Sequence, residues 1–105
     1  MIIPKDAIIA DEKVRDYLLK PRVKGDKSGY LALAGYNRED FWELQRDIRD
    51  QLLPTEAIFQ RRDRFGEYYM FDGHLTGPNG RRLGVETIWI RENDGKIRFL
   101  TPFPD

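Results

Sequence analysis

His74 is the single histidine of this 105-residue chain, and it stands two residues after Asp72. Imidazole is the side chain that ordinarily titrates near neutral pH, which suits it to acid–base chemistry. On a strand, residues two apart share a face. Tyr68, Asp72 and His74 would then give a titrating group with an orienting carboxylate beside it. The plainer reading is a surface histidine near a turn, with Gly73 marking a bulge or a close backbone approach. Basic residues form a second set. Lys20, Arg22, Lys24 and Lys27 stand close together, opposed only by Asp26. A basic loop leading into a helix start holds phosphate through lysine charge and free N–H groups, or is simply a solvated loop. Arg61, Arg62 and Arg64 surround Asp63, while Arg81 and Arg82 follow the turn Gly77-Pro78-Asn79-Gly80. Arginines gathered on one rim of a sheet bind RNA phosphates and stabilise transition-state charge. The same arginines also serve to protect a strand edge.

Composition narrows the chemistry. There is no cysteine, so disulfides, thiolate catalysis and cysteine-ligated zinc are excluded. One histidine leaves no His-pair metal site, and the expectation is no metal and no cofactor. Lys plus Arg and Asp plus Glu number 18 each, so the net charge is zero and only local clustering argues for a charged partner. The start, Met1-Ile2-Ile3-Pro4-Lys5-Asp6, lacks the apolar stretch of a signal peptide, and no apolar run approaches a membrane span. These features predict a soluble cytoplasmic protein with no membrane partner. Gly77-Pro78-Asn79-Gly80 has too few glycines for a phosphate loop and reads as turn chemistry.

The elements that must position these residues change period at Pro54. Before it, Val14, Tyr17 and Leu18 step by three and four in a helix near 11–19, with Asp11 as its N-cap. Ser28 to Ala34 reads as a short helix stopped by Gly35. Asn37 caps a longer helix to about Leu53, in which Phe41, Leu44, Ile48 and Leu52 line one face and Asp40 completes a capping-box pattern. After Pro54 the pattern alternates. Strands are expected near 55–62, 67–76, 81–91 and 96–101, with hairpin signals at Gly77–Gly80 and Glu92–Gly95. Tyr69, Phe71 and Leu75 would share one face, while Tyr68, Met70, Asp72 and His74 share the other. Leu83, Val85, Thr87 and Trp89 alternate in a strand whose Ile88-Trp89-Ile90 is apolar on both sides, which makes it central. The fold class is therefore α+β: two to three N-terminal helices packed on one face of a four-stranded antiparallel sheet, with residues 1–105 as one domain.

Several segments, in order, carry a resemblance. They are Ile8-Ile9-Ala10-Asp11-Glu12-Lys13 with Tyr17-Leu18-Leu19; Gly25-Asp26-Lys27 followed by Gly35-Tyr36; Phe65-Gly66; Leu75-Thr76-Gly77-Pro78-Asn79-Gly80-Arg81; Thr87-Ile88-Trp89-Ile90; and Leu100-Thr101 before a proline. Together they resemble a small bacterial domain-of-unknown-function family of about this length. That family looks distantly similar to the barnase, EndoU, colicin and RelE group of metal-independent ribonucleases. The resemblance implies a toxin-like endoribonuclease of a toxin–antitoxin or polymorphic-toxin system, with RNA as substrate and a cognate antitoxin or immunity protein as partner. Carried onto this chain, the family pattern matches its lysine to Lys27 across a one-residue gap, its arginine to Arg81 and its threonine to Thr101. The family pattern has no histidine at the position of His74. The expected catalytic set is Lys27, His74, Arg81 and Thr101, with Asp72 as an alternative base; Lys24, Arg61 and Arg82 are expected to hold RNA phosphates. The competing expectation is a non-catalytic interaction module: an antitoxin, immunity protein or regulator.

Overall fold

The computed structural model describes residues 1–21 and 27–104, with side-chain surroundings up to Thr101. The turn predicted at Gly25-Asp26, and Lys24 with it, lies outside the described residues.

The alternation after Pro54 builds a four-stranded antiparallel sheet in the order β3-β4-β5-β6: β3 (Ile58–Asp63), β4 (Gly66–Thr76), β5 (Arg82–Glu92) and β6 (Ile97–Pro104). Before it, β1 (Ile2–Ile3) and β2 (Thr55–Glu56) pair as a separate ribbon. The first expected strand, 55–62, is thus divided between two partners. The last strand runs past Pro102 to pair Pro104 with Val85. Proline is tolerated there because β6 is an edge strand and owes no N–H to a further neighbour. Two glycines with positive φ, Gly80 (+85°) and Gly95 (+88°), sit in the two hairpin turns that were legible in the sequence.

The helical half is α1 (Lys13–Leu18), α2 (Ser28–Ala32) and α3 (Phe41–Asp47), which runs on as a wider-wound turn over Ile48–Leu52. Two cap assignments shift. Asp11 does not cap α1; its carboxylate accepts from Gln45 Nε2 at 2.6 Å. Asn37 does accept from the Asp40 N–H at 2.8 Å, but it closes a turn, and α3 starts one turn later.

One face of the sheet is covered. Trp89, Phe99, Leu75, Val85, Val14, Leu18, Leu31, Leu44 and Ile48 belong to one connected apolar cluster. The indole of Trp89 is fully buried, stacked near-parallel on Phe71 at 6.1 Å and edge-on to Phe99 at 5.1 Å. Gly73 is not bulged, since β4 and β5 pair without interruption from Gly66↔Glu92 to Thr76↔Arg82. It is glycine because a Cβ there would stand 2.8 Å from Leu52 Cδ2. The bulges lie elsewhere, at Gln60 in β3 and Leu100 in β6. Among the described residues no helix is long and apolar enough to cross a membrane.

Candidate functional site on the open sheet face

Cross-strand partners share a face, so the register defines the side of the sheet that the helices leave open. It carries Ile58 and Arg61 from β3, then Tyr68, Met70, Asp72, His74 and Thr76 from β4. From β5 come Arg82, Gly84, Glu86, Ile88 and Ile90, and from β6 come Arg98 and Thr101. Ile90 is buried yet outside the main cluster, because it sits between Tyr68 and Arg98 in the register.

Two ends of this face differ in chemistry. At one end Arg61 lies over the Tyr68 ring, 3.9 Å from its centroid, and donates to Asp63 Oδ2 at 2.9 Å. The Tyr68 hydroxyl donates to the same carboxylate oxygen at 3.0 Å. Partial loss of solvent pushes Asp63 up, but bonds from Arg61, from the Phe65 N–H and from Tyr68 pull harder, and the net displacement is downward. This is a closed, self-satisfied network with the outer face of a guanidinium exposed.

The other end, beside the β4–β5 hairpin, is unsatisfied. Asp72 lies directly opposite Glu86, and His74 lies opposite Gly84. Directly opposed residues have Cβ atoms about 4.5–5.5 Å apart, and like charges there oppose pairing by a few tenths to about 1 kcal/mol. The glycine opposite His74 leaves a gap beside the imidazole, and Glu86 is its diagonal neighbour. Among the described residues, Asp72, His74 and Glu86 make no side-chain hydrogen bond or ion pair. Arg82, opposite Thr76, completes the group. Two carboxylates and an imidazole facing solvent without partners are placed to accept, donate and shuttle protons.

The elements behind this end are tied down. The Gly77–Gly80 turn closes with Gly80 N–H to Gly77 C=O at 2.9 Å. Asn79 donates its backbone N–H to Ala34 C=O at 3.2 Å and its amide to Leu33 C=O at 3.0 Å, supplying partners for carbonyls at the end of α2. The Tyr30 hydroxyl donates to Gly84 C=O at 2.7 Å and so ties α2 to β5. Gln51 accepts from the Thr76 N–H at 2.7 Å and donates to its C=O at 2.9 Å.

The residues expected from the sequence distribute as follows. His74 and Arg82 share the hairpin end, and Arg81 lies at the foot of the same hairpin, exposed. Lys27 is the residue before α2, one turn ahead of Tyr30, with its ammonium 5.8 Å from the Tyr17 ring centroid on the helical side. Thr101 pairs with Ile88, six positions along β5 from Arg82. At roughly 3.3 Å per residue that separates them by on the order of 20 Å, so Thr101 does not meet Arg81 and Arg82 in one pocket. Arg61 belongs to the other end. Glu86 is the member of this group that residue type and spacing alone do not single out. Its signal was available: a turn centred on Asn79 pairs 76 with 82 and therefore 72 with 86.

The chain belongs to the family described as Domain of unknown function (DUF6883), whose pattern matches residues 4–105. Among curated proteins none matches it in sequence. In solved structures its fold is similar to that of a chain in a contact-dependent growth inhibition toxin–immunity protein complex from Klebsiella pneumoniae 342. The two share 20% identity with a TM-score of 0.67, over 95% of this chain and 94% of that one. The likeness extends over the helices and the sheet together and is one of fold.

Proposed function

We propose that this chain is the toxin of a toxin–immunity pair and that it cuts RNA in the cytoplasm by acid–base catalysis on the open sheet face. The observation that carries the reading is the unpartnered set Asp72, Glu86 and His74 beside the side-chain-free position at Gly84. A sheet selected for stability alone gains nothing from opposing two carboxylates beside its hairpin. In the reaction the Glu86 carboxylate, diagonal to His74, takes the proton of an RNA 2′-hydroxyl. The freed oxygen forms a bond to phosphorus, the bond from phosphorus to the 5′-oxygen breaks, and His74 gives its proton to that leaving oxygen. The products are a 2′,3′-cyclic phosphate and a 5′-hydroxyl. Arg81 and Arg82 carry positive charge for the phosphate as its negative charge grows. Arg61 and Thr101 hold phosphates farther along the strand. A general acid or base is worth about 10²–10⁴-fold in rate.

The test is induction in a bacterial host, following growth and RNA integrity. Wild type should arrest growth and fragment RNA, while His74→Ala and Glu86→Gln should do neither and keep wild-type melting behaviour. Unimpaired growth with intact RNA under wild-type expression would count against the reading. A second reading, a non-catalytic immunity-type module, is favoured by one specific observation: Thr101 stands far from Arg81, so the family-matched residues do not form a single pocket.

A further inference from the structure

We propose that the free edge of β3 is a docking strand for an acidic partner protein that adds its own strand to the sheet; the proposal rests on the toxin–immunity reading above. The two edges of the sheet are treated differently by the chain. The β6 edge is covered at its start by the N-terminal segment: Ile8 donates its N–H to Ile97 C=O at 2.8 Å and accepts from the Phe99 N–H at 2.8 Å. The β3 edge has no such cover. Among the described residues no other main chain bonds to Ile58–Asp63 beyond β4, and only the Gln60 side chain reaches back to the Ile58 and Phe59 carbonyls, at 3.3 and 3.4 Å.

The side chains on this edge are unlike ordinary edge protection. Protein edges are blunted by charge and by bulges, and Arg61, Arg62 and the Gln60 bulge fit that pattern. Yet Ile58 is 68% exposed, Phe59 49% and Phe65 57%, three of the large apolar side chains left in water. Arg64 has no carboxylate among the described residues and only the Phe65 ring, 4.7 Å away. Arg61 and Arg62 are already paired with Asp63 and Glu67 inside the chain, so the edge calls for a strand with apolar residues opposite Ile58 and Phe59 and a carboxylate beside Arg64. Strand addition takes its affinity from main-chain bonds and its choice of partner from alternate side chains. A second copy of this chain fits poorly. The full-length antiparallel register would set Ile58 against Asp63 and Phe59 against Arg62.

The probe is the purified product of the gene adjacent to the one encoding this chain, titrated calorimetrically against the full chain. Ile58→Asp and Arg64→Glu, both at exposed positions, should each weaken binding at least about tenfold while melting like wild type. Amides of residues 58–63 should gain protection from hydrogen exchange in the complex. If the probe binds both variants as tightly as wild type, with protection confined to other elements, the docking strand is overturned and the toxin–immunity reading stands. Absence of any binding removes both. If the chain alone forms a dimer that Ile58→Asp dissolves, β3 pairs with itself and the acidic partner is ruled out.

Discussion

Thr87 shows how single residues hold this fold. It is fully buried, its hydroxyl donates to Phe71 C=O at 3.2 Å, and it accepts the indole N–H of Trp89 at 3.0 Å. Thr87→Val keeps the shape and strips the indole of its acceptor. An unsatisfied buried donor costs about 1–3 kcal/mol, and chemical denaturation should read that loss. The buried Tyr36 is a second case. Its hydroxyl donates to Asp47 Oδ2 at 2.7 Å. Burial, then the bond to Asp47, raises the phenol well above its ordinary range. With its folded value above its unfolded one, its contribution is present below the ordinary phenol range and is lost as pH rises through it. Alkaline melts should therefore separate wild type from Tyr36→Phe progressively less above about pH 10. Asp16 works in the opposite direction. Hydrogen bonds from Arg15 and Arg38 hold its carboxyl well below the usual range. Its contribution, small because the group faces solvent, is present above the usual carboxylate range and lost as pH falls through and below it. Asp16→Asn should lower the melting temperature slightly at neutral pH and not in strong acid.

Elements supply the next scale, and here the β4–β5 hairpin is the critical part because it aims the proposed site. Gly77 packs so closely on the end of α2 that a methyl group there would overlap the carbonyl of Ala34. Gly77→Ala must push the hairpin off α2, with a cost of about 1–3 kcal/mol and loss of any activity that depends on His74 and Arg82. Trp89→Ala, at the centre of β5, should cost about 3–5 kcal/mol. Much of this scale was legible in the sequence. The alternation of Leu83, Val85, Thr87 and Trp89 gave the buried face, and Asn79-Gly80 gave the turn that sets the register. What could not be read was partner choice. Nothing in Thr55-Glu56 distinguishes pairing with Ile2-Ile3 from continuing into β3, because the two strands meet across 50-odd residues of chain. Asp11 carries a good capping side chain, but tertiary contact with Gln45 outcompetes the local N–H groups. Gly73 gave a true signal of close approach, while its agent, Leu52, comes from a distant helix.

At the scale of the whole molecule, helices seal one face of the sheet and leave the other exposed. Chain order made that division visible, since amphipathic helices preceding a meander can cover only one side. The site was less legible. His74 and Asp72 stand out by type, but Glu86 becomes notable only when the register sets it against Asp72, and Thr101 separates from the hairpin end only when the register sets it against Ile88. The central claim is that the unpartnered groups on the open face cut RNA by proton transfer. Its most direct measurement is incubation of the purified chain with end-labelled RNA in the presence of EDTA, with the termini of the fragments identified. The account predicts 2′,3′-cyclic phosphate and 5′-hydroxyl ends, formed about 10²–10⁴-fold more slowly by Glu86→Gln or His74→Ala. RNA left whole by the folded wild-type chain, or cleaved equally fast by both variants, would contradict it.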